Sequence, residues 1–213
     1  MKSGDIRSSV QALESALLRS DSAGAREILG GSCSPDVPYA CISTLIEPAL
    51  RSIGEQWALG DAALSQIYVS GRICEEYIRS LPVPVSGIRE DQPKIGIVVL
   101  EDFHTLGKDT VLAALHASGY RVEDYGAGIT VPELLELIKR DGIEVLFVSA
   151  LMLRAALEVR HLMDGIREEK IPIRVIVGGA PFLFDTELWQ EVGADAFAHD
   201  AAEAVGLVEG GNK

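Results

Sequence analysis

The sequence predicts an α/β protein in two parts: an N-terminal four-helix bundle, then a doubly wound sheet of five parallel strands, flavodoxin-like or Rossmann-like in class. Three observations carry this reading. Before residue 82 the apolar residues recur at helical spacing. After residue 94 short apolar runs alternate with amphipathic segments. Between them lies Leu81-Pro82-Val83-Pro84-Val85-Ser86-Gly87, followed by a polar stretch that ends at Pro93. Prolines remove amide donors and favour extended backbone, which is a linker signature. The expected divisions are 1–82 helical, 83–93 linker and 94–213 α/β.

In the first part, Ile6, Val10, Leu13 and Leu17 mark one helical face, and a short helix is expected near Ala23–Leu29. Ile42, Leu45, Ile46, Ala49, Leu50, Ile53 and Trp57 form a core-facing stripe. Pro48 falls inside it and should kink or break that helix. Leu64, Ile67, Gly71, Cys74, Ile78 and Leu81 make a fourth seam, suited to antiparallel packing.

In the second part, Ile95–Leu100 reads as a buried strand and Gly107–Ser118 as a helix stopped by Gly119. Arg121–Tyr125 is a second strand. Thr130-Val131-Pro132-Glu133 has the pattern of a capping box for a helix that Gly142 ends. Val145–Ser149 is the third strand, with a helix after it to about Lys170. Ile173–Val177 is the fourth strand, Asp185 can cap a helix ending at Gly193, and Asp195–Ala198 is a short fifth strand. Asp200-Ala201-Ala202-Glu203 opens the last helix.

Composition narrows function. With 19 Lys+Arg against 32 Asp+Glu the net charge is -13, which opposes sequence-independent nucleic-acid binding and docking on anionic membranes. Hydrophobic residues at 47% can fill a core. No apolar run approaches the roughly 20 residues that cross a bilayer, and the start has no secretory pattern. Cys33, Cys41 and Cys74 fit neither a disulfide framework nor a zinc site, so buried, reduced thiols and a cytoplasmic setting are expected.

In doubly wound sheets ligands bind beyond the carboxyl ends of the strands. There the first strand continues into Asp102-Phe103-His104-Thr105-Leu106-Gly107, the third ends in Ser149-Ala150-Leu151, and the fourth in Gly178-Gly179. A carboxylate two residues from an imidazole can fix its tautomer and raise its basicity as a metal ligand. One histidine is too few to hold a bare ion, but suffices when a macrocycle supplies the other ligands. Gly107 allows close approach of a bulky group, Gly178-Gly179 should leave a slot, and Ser149 can donate a hydrogen bond into it.

Asp102-x-His104-x-x-Gly107, Ser149-x-Leu151 and Gly178-Gly179 together resemble the cobalamin-binding fingerprint of corrinoid proteins and of cobalamin-dependent methionine synthase. The stretch from Gly178 to Phe197 is also similar to small corrinoid methyl carriers. The resemblance implies cobalamin (corrinoid cobalt) as cofactor, with its benzimidazole detached and its nucleotide tail beside Ser149, Leu151, Gly178 and Gly179. It implies His104 as the axial ligand to cobalt with Asp102 behind it. Thr105, Leu106, Gly107 and Phe197 complete the implied cofactor-binding set. It further implies that the helical part caps the corrin, with Trp57, Ile67 and Tyr68 as candidates. The chain departs from the family at Glu101 (usually Gly), Thr105 (commonly Asp) and Asp109 (usually Asn). Ala155 replaces a hydroxyl that extends the His–Asp relay in methionine synthase, so a third relay member is not expected there.

The activity implied is that of a methyl-group carrier cycling between cobalt(I) and methyl-cobalt(III), and not of a complete enzyme. Its partners would be a substrate-specific methyltransferase, a second methyltransferase with a tetrahydrofolate or thiol acceptor, and a reductive activator. A cobalamin-dependent sensory protein is the alternative, but Ile67 and Tyr68 stand where such photoreceptors favour Glu-His. A signalling receiver would need a phosphorylatable aspartate where Ser149 stands, and a flavin site would need a Ser/Thr/Gly-rich loop in place of Glu101–Gly107.

Overall fold

The computed structural model describes residues 3–32, 41–81 and 89–209. The chain divides into two compact units, Met1–Pro82 and Val83–Lys213.

In the first unit, α1 (Ser3–Leu18), α2 (Ser22–Ser32), α3 (Glu47–Leu59) and α4 (Leu64–Ser80) form a four-helix arrangement. Leu13, Leu17, Leu29, Ile46, Ala49 and Ile53 are almost wholly buried, and burying each large aliphatic chain contributes about 1.5–3 kcal/mol. The break expected at Pro48 takes the form of a π-helical turn over Ile42–Ile46, and α3 starts at Glu47 with Pro48 in its first turn. There a missing amide costs no helical hydrogen bond. The buried face of α4 is rotated from the expected stripe. Ser70, Ile73, Cys74, Tyr77 and Ile78 are buried, whereas Leu64 is exposed. Both stripes have helical spacing, and packing against the neighbouring helices selects between them.

In the second unit, β1 (Ile95–Leu100), β2 (Val122–Ile129), β3 (Val145–Ser149), β4 (Arg174–Gly178) and β5 (Ala196–Ala198) pair in parallel in the order β2-β1-β3-β4-β5. The order reverses beside β1, which makes the β1/β3 carboxyl edge the switch point. Alternate residues serve two cores. Val98, Leu100, Leu146, Val148, Val175 and Val177 pack with α6 (Val131–Asp141) and α7 (Leu153–Glu168). Ile95, Ile97, Val145, Phe147 and Ile176 pack with α5 (Leu106–Ala117) and α10 (Ala201–Glu209).

Two further expectations need correction. β2 runs four residues past Tyr125, through Gly126 and Gly128 at φ 79° and 77°, where its register against β1 shifts. The helix expected after Asp185 shrinks to α9 (Leu188–Glu191), and an additional short helix, α8 (Ala180–Phe184), precedes Asp185, so the unit has more helices than the five expected. Asp185 instead accepts the Glu187 amide in the turn between them. Of the linker, residues 83–88 lie outside those described. The remainder is docked: Arg89 donates to Ser118 O and Tyr120 Oη, and Gln92 Oε1 accepts the Arg121 amide.

Cys41 and Cys74 are buried; Cys33 lies outside the described residues. Among the described residues no helix is long and apolar enough to cross a membrane.

Candidate functional site

The site is built on three loops at the carboxyl edge of the sheet. β1 ends at Leu100, and Glu101 turns the chain with φ 47°, a left-handed conformation unusual for a residue with a side chain. That turn is tied to the unexpected end of β2. The Glu101 amide donates to Ile129 O at 3.1 Å, and the Gly128 amide donates to Asp102 O at 2.8 Å. The Phe103 ring occupies the space that a side chain at Gly128 would need.

Asp102 is buried, and its Oδ1 lies 2.6 Å from His104 Nδ1 and accepts the Phe103 amide at 2.7 Å. Burial alone would raise the Asp102 carboxyl. The hydrogen bonds from His104 and Phe103 oppose it and hold the group below its ordinary value. An ionised carboxylate can only accept, so Nδ1 carries a proton, and in the neutral ring the lone pair is then on Nε2. The His104 side chain is 42% exposed, so that nitrogen can reach a ligand. Asp102 Oδ2 is buried, the Met152 amide is the backbone donor that also lowers this carboxyl, and the buried Ala155 brings it no relay hydroxyl.

Sheet register brings the other loops alongside. Val99 pairs with Ser149, Ser149 with Gly178, and Gly178 with Ala198, one row across the edge. A Cβ at Gly107 would stand 3.0 Å from Ser149 Oγ, so the first turn of α5 meets the end of β3. Leu151 is half-exposed at the start of the β3–α7 loop. Gly179 has φ 112°, and a side chain there would overlap the Ala150 carbonyl. A side chain at Gly179 would thus meet backbone, so this turn needs a glycine.

The remaining expected residues are placed as follows. Thr105 is buried, with its hydroxyl on Asp109 Oδ2 at 3.1 Å. Leu106 opens α5. Phe197 is largely buried against Phe182 and meets His199 at a tilt of 49°, with ring centroids 4.4 Å apart. His199 and His161 bond to Glu203 and Glu158 respectively, as surface or capping histidines do. Trp57 and Tyr68 are exposed in the helical unit. Sequence reasoning missed the supporting role of Gly128, Ile129 and the buried Lys108. A Gly-x-Gly at the end of a strand run, read as a bulge instead of a stop, would have found the first two.

Among the described residues no group of three His, Cys, Asp or Glu could hold a bare metal ion. A single oriented imidazole beside close-packed glycines therefore fits a metal that arrives already chelated. Fold and site together define a corrinoid-binding α/β unit preceded by a helical unit. Residues 93–208 match the family model described as B12 binding domain, and the chain belongs to that family, with a corrinoid cofactor.

Monomethylamine corrinoid protein 1 of Methanosarcina acetivorans is 33% identical, over 84% of this chain and 84% of that protein. Dimethylamine corrinoid protein 2 of Methanosarcina mazei is 27% identical, over 82% of this chain and 89% of that one. The solved monomethylamine corrinoid protein of Methanosarcina barkeri superposes with a TM-score of 0.81 at 26% identity, covering 94% of this chain and 97% of that one.

Proposed function

We propose that this protein carries methyl groups on its corrinoid between a substrate-specific methyltransferase and a second methyltransferase whose acceptor is tetrahydrofolate or a thiol. The observation that carries the reading is the Asp102–His104 pair, with Nδ1 tied down and Nε2 left over. The bound corrinoid supplies a nucleophilic cobalt that accepts and releases a methyl group. His104 would hold the cobalt, with Asp102 setting its tautomer and basicity. Ser149, Leu151 and Gly178 would hold the nucleotide part of the cofactor, with Thr105, Leu106, Gly107, Gly179 and Phe197 shaping the surroundings. Residues 1–82 form the helical domain and 94–213 the cofactor domain.

The relatives' names point to methylated amines as the donor class. A reductive activator completes the system. The test is a transfer assay with reduced, cobalamin-loaded protein and methyltransferases taken from the same genome. Monomethylamine, dimethylamine and a methoxylated aromatic would each be supplied. Demethylation of one donor that depends on this protein is expected; cobalamin binding with no transfer from any donor would favour the sensory alternative.

A further inference from the structure

We propose that Lys108 is a positioning residue for His104, holding the ligand loop through a buried ion cluster that no contact with the cofactor requires. Lys108 is 3% exposed, and its ammonium sits 2.6 Å from Asp124 Oδ2 and 3.0 Å from Asp109 Oδ1. An ammonium is buried at a cost that only close, well-placed partners offset, so the cluster has one geometry.

Two arms run from it to the ligand loop. On one side Asp109 Oδ2 accepts the Thr105 hydroxyl at 3.1 Å, and the Asp109 amide donates to Thr105 O at 2.8 Å. Thr105 directly follows His104. On the other side Asp124 Oδ1 accepts the Gly126 amide at 2.8 Å, at the bulge of β2. Two residues further on, the Gly128 amide holds Asp102 O. The loop is thus pinned both before and after the imidazole, and both pins lead back to one ammonium. Removing that charge leaves two carboxylates facing each other beneath the loop, and their repulsion pushes Thr105 and β2 apart.

The inference rests on the reading of His104 as the axial ligand. The experiment loads full-length wild type, His104→Ala, Lys108→Met and Lys108→Arg with cobalamin. It then reads the histidine-ligated fraction from the absorption spectrum, and from nitrogen coupling in the electron paramagnetic resonance of the one-electron-reduced cofactor. Lys108→Met should keep the cofactor while its ratio of ligated to unligated form falls about tenfold, in the range of lost support to a metal ligand. Lys108→Arg should restore most of it. A folded Lys108→Met with the wild-type spectrum overturns the proposal, since a purely structural lysine would alter the denaturation midpoint alone. Should Lys108→Met not fold, Asp124→Asn at the partly exposed end of the cluster replaces it. It should shift in the same direction, and an unchanged spectrum overturns the proposal equally. If wild type and His104→Ala are spectrally identical, the ligand assignment itself falls, and the role of Lys108 falls with it.

Discussion

Oδ1 of Asp102 stands 2.6 Å from Nδ1 of His104, and that contact determines which ring nitrogen is available to a metal. A carboxylate behind an imidazole makes the free nitrogen a stronger donor. The pair is held from above by sheet geometry, because Gly128 and Phe103 fix both the carbonyl and the side chain of Asp102.

Replacing His104 by alanine should leave the far-ultraviolet circular dichroism unchanged, since the side chain is partly exposed. The spectrum of bound cobalamin should change to that of a form without imidazole. Identical spectra in the two proteins would refute the assignment. Asp102→Asn should be intermediate, weakening ligation by roughly 10–100-fold.

Two glycines should respond in opposite ways. Gly179→Ala forces a side chain onto the Ala150 carbonyl at φ 112°, and should destabilise the protein by about 2–4 kcal/mol. Gly54→Ala lies inside α3 with nothing within 4 Å of the added methyl, and should stabilise by about 0.5–1 kcal/mol. Urea denaturation measures both. Equal and small effects would show that the β4 end is not packed as described.

The Cys74 thiol is pushed up to about 12 by burial, with the charge of Glu75 adding to it. At mildly alkaline pH its thiolate fraction, and so its rate of alkylation by iodoacetamide, should be about a thousandfold below that of an ordinary cysteine. Peptide-resolved mass spectrometry reads this directly. Rapid labelling of Cys74 in the native protein would contradict the packing of α4.

Glu133 Oε2 accepts the Thr130 hydroxyl at 2.7 Å and the Thr130 amide at 3.0 Å. These bonds hold the Glu133 carboxyl below its ordinary value. A lowered native pKa means that the cap's contribution is complete above the unfolded-state pKa and is lost as pH falls through the native one. Carbon-detected nuclear magnetic resonance titration should find Glu133 low in wild type and higher in Thr130→Ala, where the hydroxyl is lost and the backbone amide remains. An ordinary value in wild type would remove the capping box.

How much was legible follows from what each residue's neighbours are. β1 and β3 appear where expected because unbroken runs of Val, Ile, Leu and Phe are buried on both faces. The end of β2 was hidden because Gly126 and Gly128 look like a stop unless β1 is known to lie beside them. The face of α4 depended on helices distant in sequence. Asp102 and His104 were readable as a pair because two residues separate them. Lys108 and Asp124 were not, because a lysine is rarely buried and its partner comes from strand β2, a separate element.

The row Val99–Ser149–Gly178 has a consequence for assembly. β3 lies between β1 and β4, so the loops that bear His104 and Gly179 are brought to one edge by a strand that separates them in the sheet and belongs to neither. That edge exists as a single surface only in the completed sheet, and no shorter run of the chain carries it.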